Sequence, residues 1–293
     1  MTRSFAGGKS WYDIWNLGFI SKNIIMDSNN GPDERYIVPA VDQACRILFC
    51  LAGADSSHMS LIGIAAGVGI NKSKAFSILR TLQKFGVVQR NVEGKGYSLG
   101  PGLIGLSRRF LDNLSAPGLA EPFLEALARK TGSTAALGLI AGKNVFVASK
   151  HEGGRAIVVT MRVGNRFPLS WGCHGKAIAA FLPDKDLEVM LKGEKLYFHG
   201  EPARFSRARL LDDIARCRRE WFAEDLEETV PGLNAVAAPV LGPNEYPVGY
   251  IVLLGLVSAE AARELGPLVA AAGKALSRRL GASIDTRLNR DVM

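Results

Sequence analysis

The sequence predicts an α+β protein in two parts, and three observations carry that prediction. Between Leu61 and Gly100, two short helical patterns meet at Gly69 and lead into a hairpin pattern. From Thr134 onward, apolar runs of strand length alternate with amphipathic stretches of helical period. The charge is also uneven: within a formal net charge of +8, residues 36–100 hold seven Lys or Arg against three acidic residues. At 293 residues, with 47% apolar and 22% charged side chains, the chain is long enough for two cores and too apolar to stay disordered.

Residues 1–35 read as a flexible N-terminal arm with four basic and four acidic groups. Trp11, Ile14, Trp15 and Phe19 offer one short amphipathic stretch before Ser28-Asn29-Asn30-Gly31-Pro32 breaks it, and Met26 is a second candidate start. The first helix follows Asp42, with Val41, Ala44, Cys45, Leu48 and Leu51 at helical spacing. Ser60 is placed to cap Leu61–Ala66, which Gly67 and Gly69 stop. Asn71 caps a third helix, whose buried stripe is Ala75, Ile78, Leu79 and Leu82. Val87–Arg90, the turn Glu93-Gly94-Lys95-Gly96 and Tyr97–Leu99 then form a hairpin. Three helices and a hairpin over 36–100 make a winged helix-turn-helix. The polar side of its third helix carries Lys72, Ser73, Lys74, Ser77, Arg80 and Lys84, and the wing adds Arg90 and Lys95. Such a helix can meet base edges and phosphates in a major groove, so the expected partner is double-stranded DNA.

Residues 101–116 predict a linker helix. Leu103, Ile104, Leu106, Phe110, Leu111 and Leu114 cover more than one of its faces, with Arg108 and Arg109 between them. One face is expected to pack on a partner chain, giving a homodimer or homotetramer. Pro117 is expected to end this helix and Pro122 to open another, through Lys130. Strands are expected at 135–140, 145–149, 156–162, 235–240 and 248–256, with helices at 175–181, 210–221 and 259–280. The second domain therefore spans 117–282, with a C-terminal tail at 283–293.

Other chemistries find little support. Gly8-Lys9-Ser10 ends like a phosphate-binding loop, but Arg3 stands where the earlier glycine is required. Cys45, Cys50, Cys173 and Cys217 show no C-x-x-C spacing, and His151, His174 and His199 share no ligand spacing with them, so no metal or disulfide framework is expected. Cys173-His174 is a poor nucleophile–base pair because neighbouring side chains rarely face each other. Glu224-Asp225 and Glu227-Glu228 read as an exposed acidic turn. No catalytic residues and no cofactor are expected. The longest apolar run, Val248–Val257, is ten residues against about 20 for a bilayer span, and the expected home is the cytoplasm. Two other classes remain open: an enzyme built on the second domain with a nucleic-acid-binding appendage, and a DNA-bound structural protein.

Read in order, several segments resemble the IclR family of bacterial transcriptional regulators. They are Leu61–Gly86, Tyr97-Ser98-Leu99-Gly100, Leu103-Ile104-Gly105-Leu106, Arg162-Val163-Gly164 with Phe167-Pro168-Leu169, Gly175-Lys176-Ala177, and Glu227-Glu228 with Pro231-Gly232 before Val236–Val240. The resemblance implies a GAF-like effector-binding domain after the winged helix, assembly of copies, and no catalysis. Two departures stand out. Phe76-Ser77 occupies the recognition-helix position where this family often has His-Arg, while Arg80 is retained. In relatives that bind small 2-oxo acids, polar groups hold the carboxylate; the matching positions here are Cys173, His174, Asp225, Ala235, Val252 and Leu254, with Ala156, Val159, Phe167 and Leu233 as the apolar wall. A small carboxylate would leave desolvated charge unpaired there. An aromatic or acyl organic acid is expected instead, with Asp225 and the Cys173-His174 loop at its polar end and His174 as the cation or donor.

Overall fold

The computed structural model describes residues 37–54, 56–91, 96–113 and 115–284, without the side chains of 108–115. The N-terminal arm, the wing-tip turn with Lys95, and most of the tail lie outside the described residues. The chain divides into two compact units, Met1–Asn113 and Leu114–Met293.

In the first unit, helix α1 (Pro39–Ala52) precedes α2 (Leu61–Val68) and α3 (Lys72–Lys84), then strands β1 (Val88–Arg90) and β2 (Tyr97–Leu99), and α4 (Gly102–Asn113). The turn between α2 and α3 is built by its own side chains. The Ser60 hydroxyl accepts from the Gly63 amide at the start of α2. Gly69 closes that helix at φ 74°, a left-handed conformation that glycine adopts without a Cβ penalty, and it donates to the Ala65 and Ala66 carbonyls. Two residues later Asn71 Oδ1 accepts from the Lys74 amide at 2.8 Å, opening α3. Ile47, Leu51, Ile64, Val68, Leu79, Val88 and Tyr97 form the core beneath. The wing is antiparallel, pairing Val88 with Leu99 and Arg90 with Tyr97, and Met59 exchanges two 2.8 Å backbone bonds with Tyr97.

The second unit runs α5 (Ser115–Thr131), β3 (Thr134–Ala141), β4 (Asn144–His151), β5 (Arg166–Pro168), α6 (Gly172–Ala179), α7 (Asp184–Leu191), α8 (Arg207–Glu220), β6 (Ala223–Leu226), β7 (Asn234–Leu241), β8 (Pro247–Gly255) and α9 (Ala259–Arg279). The six strands form one antiparallel sheet in the order β5-β4-β3-β8-β7-β6. Alternation along the strands gives it two apolar faces. Ala238 and Ile251 turn toward α9, which approaches closely at Gly273, and α5 packs on the same side. Pro239 and Tyr250 turn toward α6 on the other side.

Four local expectations are corrected. Pro117 does not stop a helix; it lies in the first turn of α5, where a missing N–H costs nothing, and α5 continues through Pro122. No strand forms at 156–162; the β4 edge is paired by β5, and the intervening chain meets the sheet through side chains, Thr160 on Lys150 and the Val159 carbonyl on Thr134, instead of a strand ladder. Glu224 and Asp225 are not on an exposed turn but buried in β6. Cys173 and His174 are not on a loop; they form the first turn of the buried helix α6.

Candidate DNA-binding face and effector site

On α3, Ala75 and Leu79 are fully buried, which turns Lys72, Ser73, Lys74, Phe76, Ser77, Arg80 and Lys84 outward. The expected contact residues thus share one solvent-facing side. Their hydrogen-bonding capacity is smaller than their number suggests. The Ser77 hydroxyl donates to the Ser73 carbonyl at 3.1 Å and the Thr81 hydroxyl to the Ser77 carbonyl at 3.0 Å. On the wing, Arg90 is exposed with its guanidinium over the Tyr97 ring at 5.7 Å. Lys95 lies outside the described residues.

In the second unit, strand register gathers the candidate effector residues on the α6 side of the sheet. Asp225, Ala235, Leu254 and Thr134 form one transverse row across β6, β7, β8 and β3; Val252 stands in the next row with Ala237 and Ala136. Tyr250 follows two residues further along β8, and the His174 ring stacks on it with centroids 4.5 Å apart. Phe167, from the opposite sheet edge, meets the same imidazole edge-on at 6.0 Å. Leu233 is half-buried in the β6–β7 turn, and Ala156 is exposed rather than part of the wall. Val159 meets β3 through its carbonyl, which accepts from the Thr134 hydroxyl at 2.5 Å.

The polar end differs from expectation. Burial pushes the His174 imidazole down to about pKa 3, and a ring nitrogen bonded to the Pro168 carbonyl only partly opposes this. His174 is therefore neutral, and its buried Nε2 has no partner. It offers an acceptor, not a cation. Asp225 accepts from the Glu228 and Thr229 amides at 3.0 and 3.2 Å and from the Thr229 hydroxyl at 2.6 Å. Burial raises its pKa, with the Thr229 bonds pulling the other way. Its carboxylate fastens the β6–β7 turn against the α6 start. Cys173 is likewise raised by burial and is no thiolate.

A cleft of about 20 Å³ opens between the β3 start, the β8 end and the 155–159 segment. Ser133, Thr134, Arg155, Val159 and Leu254 line it, and Arg155 is the charged group among its described lining residues. Arg155 donates to the Thr131 carbonyl at 3.1 Å, while the buried Ser133 hydroxyl has no partner. Sequence reasoning missed Ser133 and Arg155, which sit beside glycines and carry no periodic signal. It missed a buried charge cluster as well. Lys176 donates to the Glu224 carbonyl at 2.9 Å and to the Glu228 carboxylate, with Asp213 at 3.6 Å; Asp213 meets His199 at 3.0 Å, and Arg209 pairs with Glu228. Among the described residues, no cluster of His, Cys, Asp or Glu suits a metal ion.

A family model described as the bacterial transcriptional regulator IclR C-terminal domain matches residues 109–278, and the IclR helix-turn-helix model matches 40–92. The chain belongs to the IclR family. It is a DNA-binding transcription regulator with an effector domain. This IclR chain is 30% identical over 248 residues to the HTH-type transcriptional regulator XynR of Escherichia coli K12, covering 84% of this chain and 98% of that one. An IclR regulator structure from Alicyclobacillus acidocaldarius superposes with a TM-score of 0.72 at 25% identity, covering 83% of this chain and 99% of that one. An IclR homologue from Microbacterium hydrocarbonoxydans, solved with 4-hydroxybenzoate, shares the fold at a TM-score of 0.65 and 17% identity, over 82% of this chain and 99% of that one. Among the described residues, no helix of this IclR chain is long and apolar enough to cross a membrane.

Proposed function

We propose that this regulator binds operator DNA through α3 and the wing and answers to an aromatic or medium-chain organic acid, without catalysing a reaction. It acts in the cytoplasm as a homodimer or homotetramer. Lys72, Ser73, Lys74, Ser77, Arg80, Arg90 and Lys95 contact the DNA. The effector's carboxylate pairs with Arg155, and its apolar body lies on Leu254, Val252, Ala235 and Val159. Phe167, Leu233, Cys173 and Asp225 shape the far side, and His174 Nε2 accepts from any hydroxyl the ligand carries. The observation that carries this reading is the cleft itself: an arginine stands beside an apolar strand end. The 4-hydroxybenzoate bound by the Microbacterium homologue has this chemistry. About 20 Å³ admits roughly one water, so entry of the acid displaces the 152–165 segment outward.

Calorimetry with benzoate and pyruvate tests the reading. An aromatic ring gains roughly 25 cal/mol per Å² of apolar area removed from water, and pyruvate has little such area. Benzoate should bind at least ~10-fold more tightly than pyruvate, and Arg155→Ala should weaken benzoate ~10-fold or more. Val252→Ser should narrow the gap between the two acids. Equal affinities in the wild type, or an Arg155→Ala variant that binds benzoate unchanged, would overturn the assignment.

A further inference from the structure

An exposed aromatic ring stands on the outward side of α3, apart from the core of its own domain. Phe76 is 43% exposed, whereas Ala75 and Leu79 beside it are at 0%. It lies one turn after Lys72 and one turn before Arg80, so the ring sits between two cations on one flank of the helix. Two of the neighbouring hydroxyls are poorly placed to donate to bases. The hydroxyl protons of Ser77 and Thr81 are already given to helix carbonyls. Lys72 and Lys74 are flexible point charges suited to phosphates. This side of α3 thus presents two kinds of reader: the Arg80 fork for a hydrogen-bonding base edge, and an apolar ring for an apolar one. In the major groove the apolar feature that distinguishes one base from the rest is the thymine 5-methyl group.

From this we infer that Phe76 is a specificity-determining residue that reads a thymine methyl in each operator half-site. The ring covers that methyl while Lys72 and Arg80 hold the flanking backbone and base. Ser77, held by its own helix, leaves room for the ring to lie flat on the groove floor. The inference rests on α3 being the recognition helix, and the test separates the two.

Duplex DNA is selected from a random-sequence pool by the full-length protein. Each thymine of the selected site is then replaced in turn by deoxyuridine, which removes the methyl and nothing else. In fluorescence anisotropy, one thymine position per half-site should weaken wild-type binding about 3–5-fold on this change, the loss expected for one buried methyl. Phe76→Ala should weaken binding to the thymine site and lose the thymine-over-uracil preference at that position alone, and Phe76→Leu should keep part of it. Circular dichroism melts of both variants check that the exposed substitution leaves the fold intact. If no position is uracil-sensitive, or if sensitivity persists in Phe76→Ala while Arg80→Ala still loses binding, the role of Phe76 is overturned. If Arg80→Ala and Lys72→Ala also bind as wild type does, α3 is not the reading helix, and the broader assignment falls with it.

Discussion

His174 shows how much a neighbourhood changes what a residue type means. On the chain it is an imidazole with an ordinary pKa near 6.5, a candidate cation for an acid ligand. Inside the second unit it is 5% exposed, stacked on Tyr250, and held neutral down to about pH 3. Its folded pKa is depressed, so its contribution to stability is full above about 6.5 and is lost as pH falls toward 3, because the unfolded chain takes up the proton first. From pH 7 to pH 5 that loss is about 2 kcal/mol. Asp225, raised by burial, works in the opposite direction at lower pH, so the wild type alone would blur the effect. Thermal melts of wild type and His174→Gln at pH 7 and pH 5 isolate it: the wild type should lose more stability between the two, and equal losses would show that the imidazole titrates normally. Ser133 and Arg155 make the complementary point, since nothing in their sequence neighbourhood marks them and only the return of β8 beside β3 brings Leu254 to them.

At the level of elements, the clearest sequence signals were those set by local chemistry. Ser60, Gly69 and Asn71 bound α2 and α3 because cap and left-handed turn are decided within a few residues. That predicts a measurable share for each cap. Asn71→Ala should destabilise the first unit by about 1 kcal/mol, read as faster amide hydrogen exchange through α3 with little change in the β7 and β8 amides. Uniform exchange across both units would contradict it. Signals failed where tertiary context overrode local ones. Pro117 and Pro122 look like boundaries, yet the apolar face of α5, with Ala120, Leu124, Leu127 and Ala128 buried, holds the helix across both. The acidic residues of β6 look exposed, yet Arg263 and Arg216 flank the Glu224 carboxylate at 3.6 and 3.9 Å and the Thr229 hydroxyl donates to Asp225, partners that are distant or unremarkable in sequence and make the burial tolerable. The short edge strand β5 carries too few residues for a periodic pattern to register.

For the whole molecule, the proposed assembly of copies rests on α4. Ile104 is 67% and Leu106 64% exposed on a helix that also carries Arg108 and Arg109. Apolar side chains left open in this way suit a second copy of the chain, and a two-fold pair is what sets two recognition helices about 34–36 Å apart on one side of a duplex. Ile104→Lys combined with Leu106→Lys should shift the protein to a monomer in sedimentation experiments at micromolar concentration and weaken binding to a two-half-site operator far more than to a half-site. A wild-type monomer under those conditions would remove the argument.

The strand order β5-β4-β3-β8-β7-β6 also bears on how the protein is made. Thr134–Leu139 pairs with Gly249–Leu254, so the middle of the sheet joins segments more than a hundred residues apart. During synthesis at ~5–20 residues per second, the β8 edge of β3 stays open for roughly 6–23 s before its partner leaves the ribosome. The first unit, whose wing closes by Leu99, faces no such delay. A nascent chain therefore carries a finished DNA-reading head well before it can answer to a ligand, and in that interval its bare strand is the segment most in need of a chaperone.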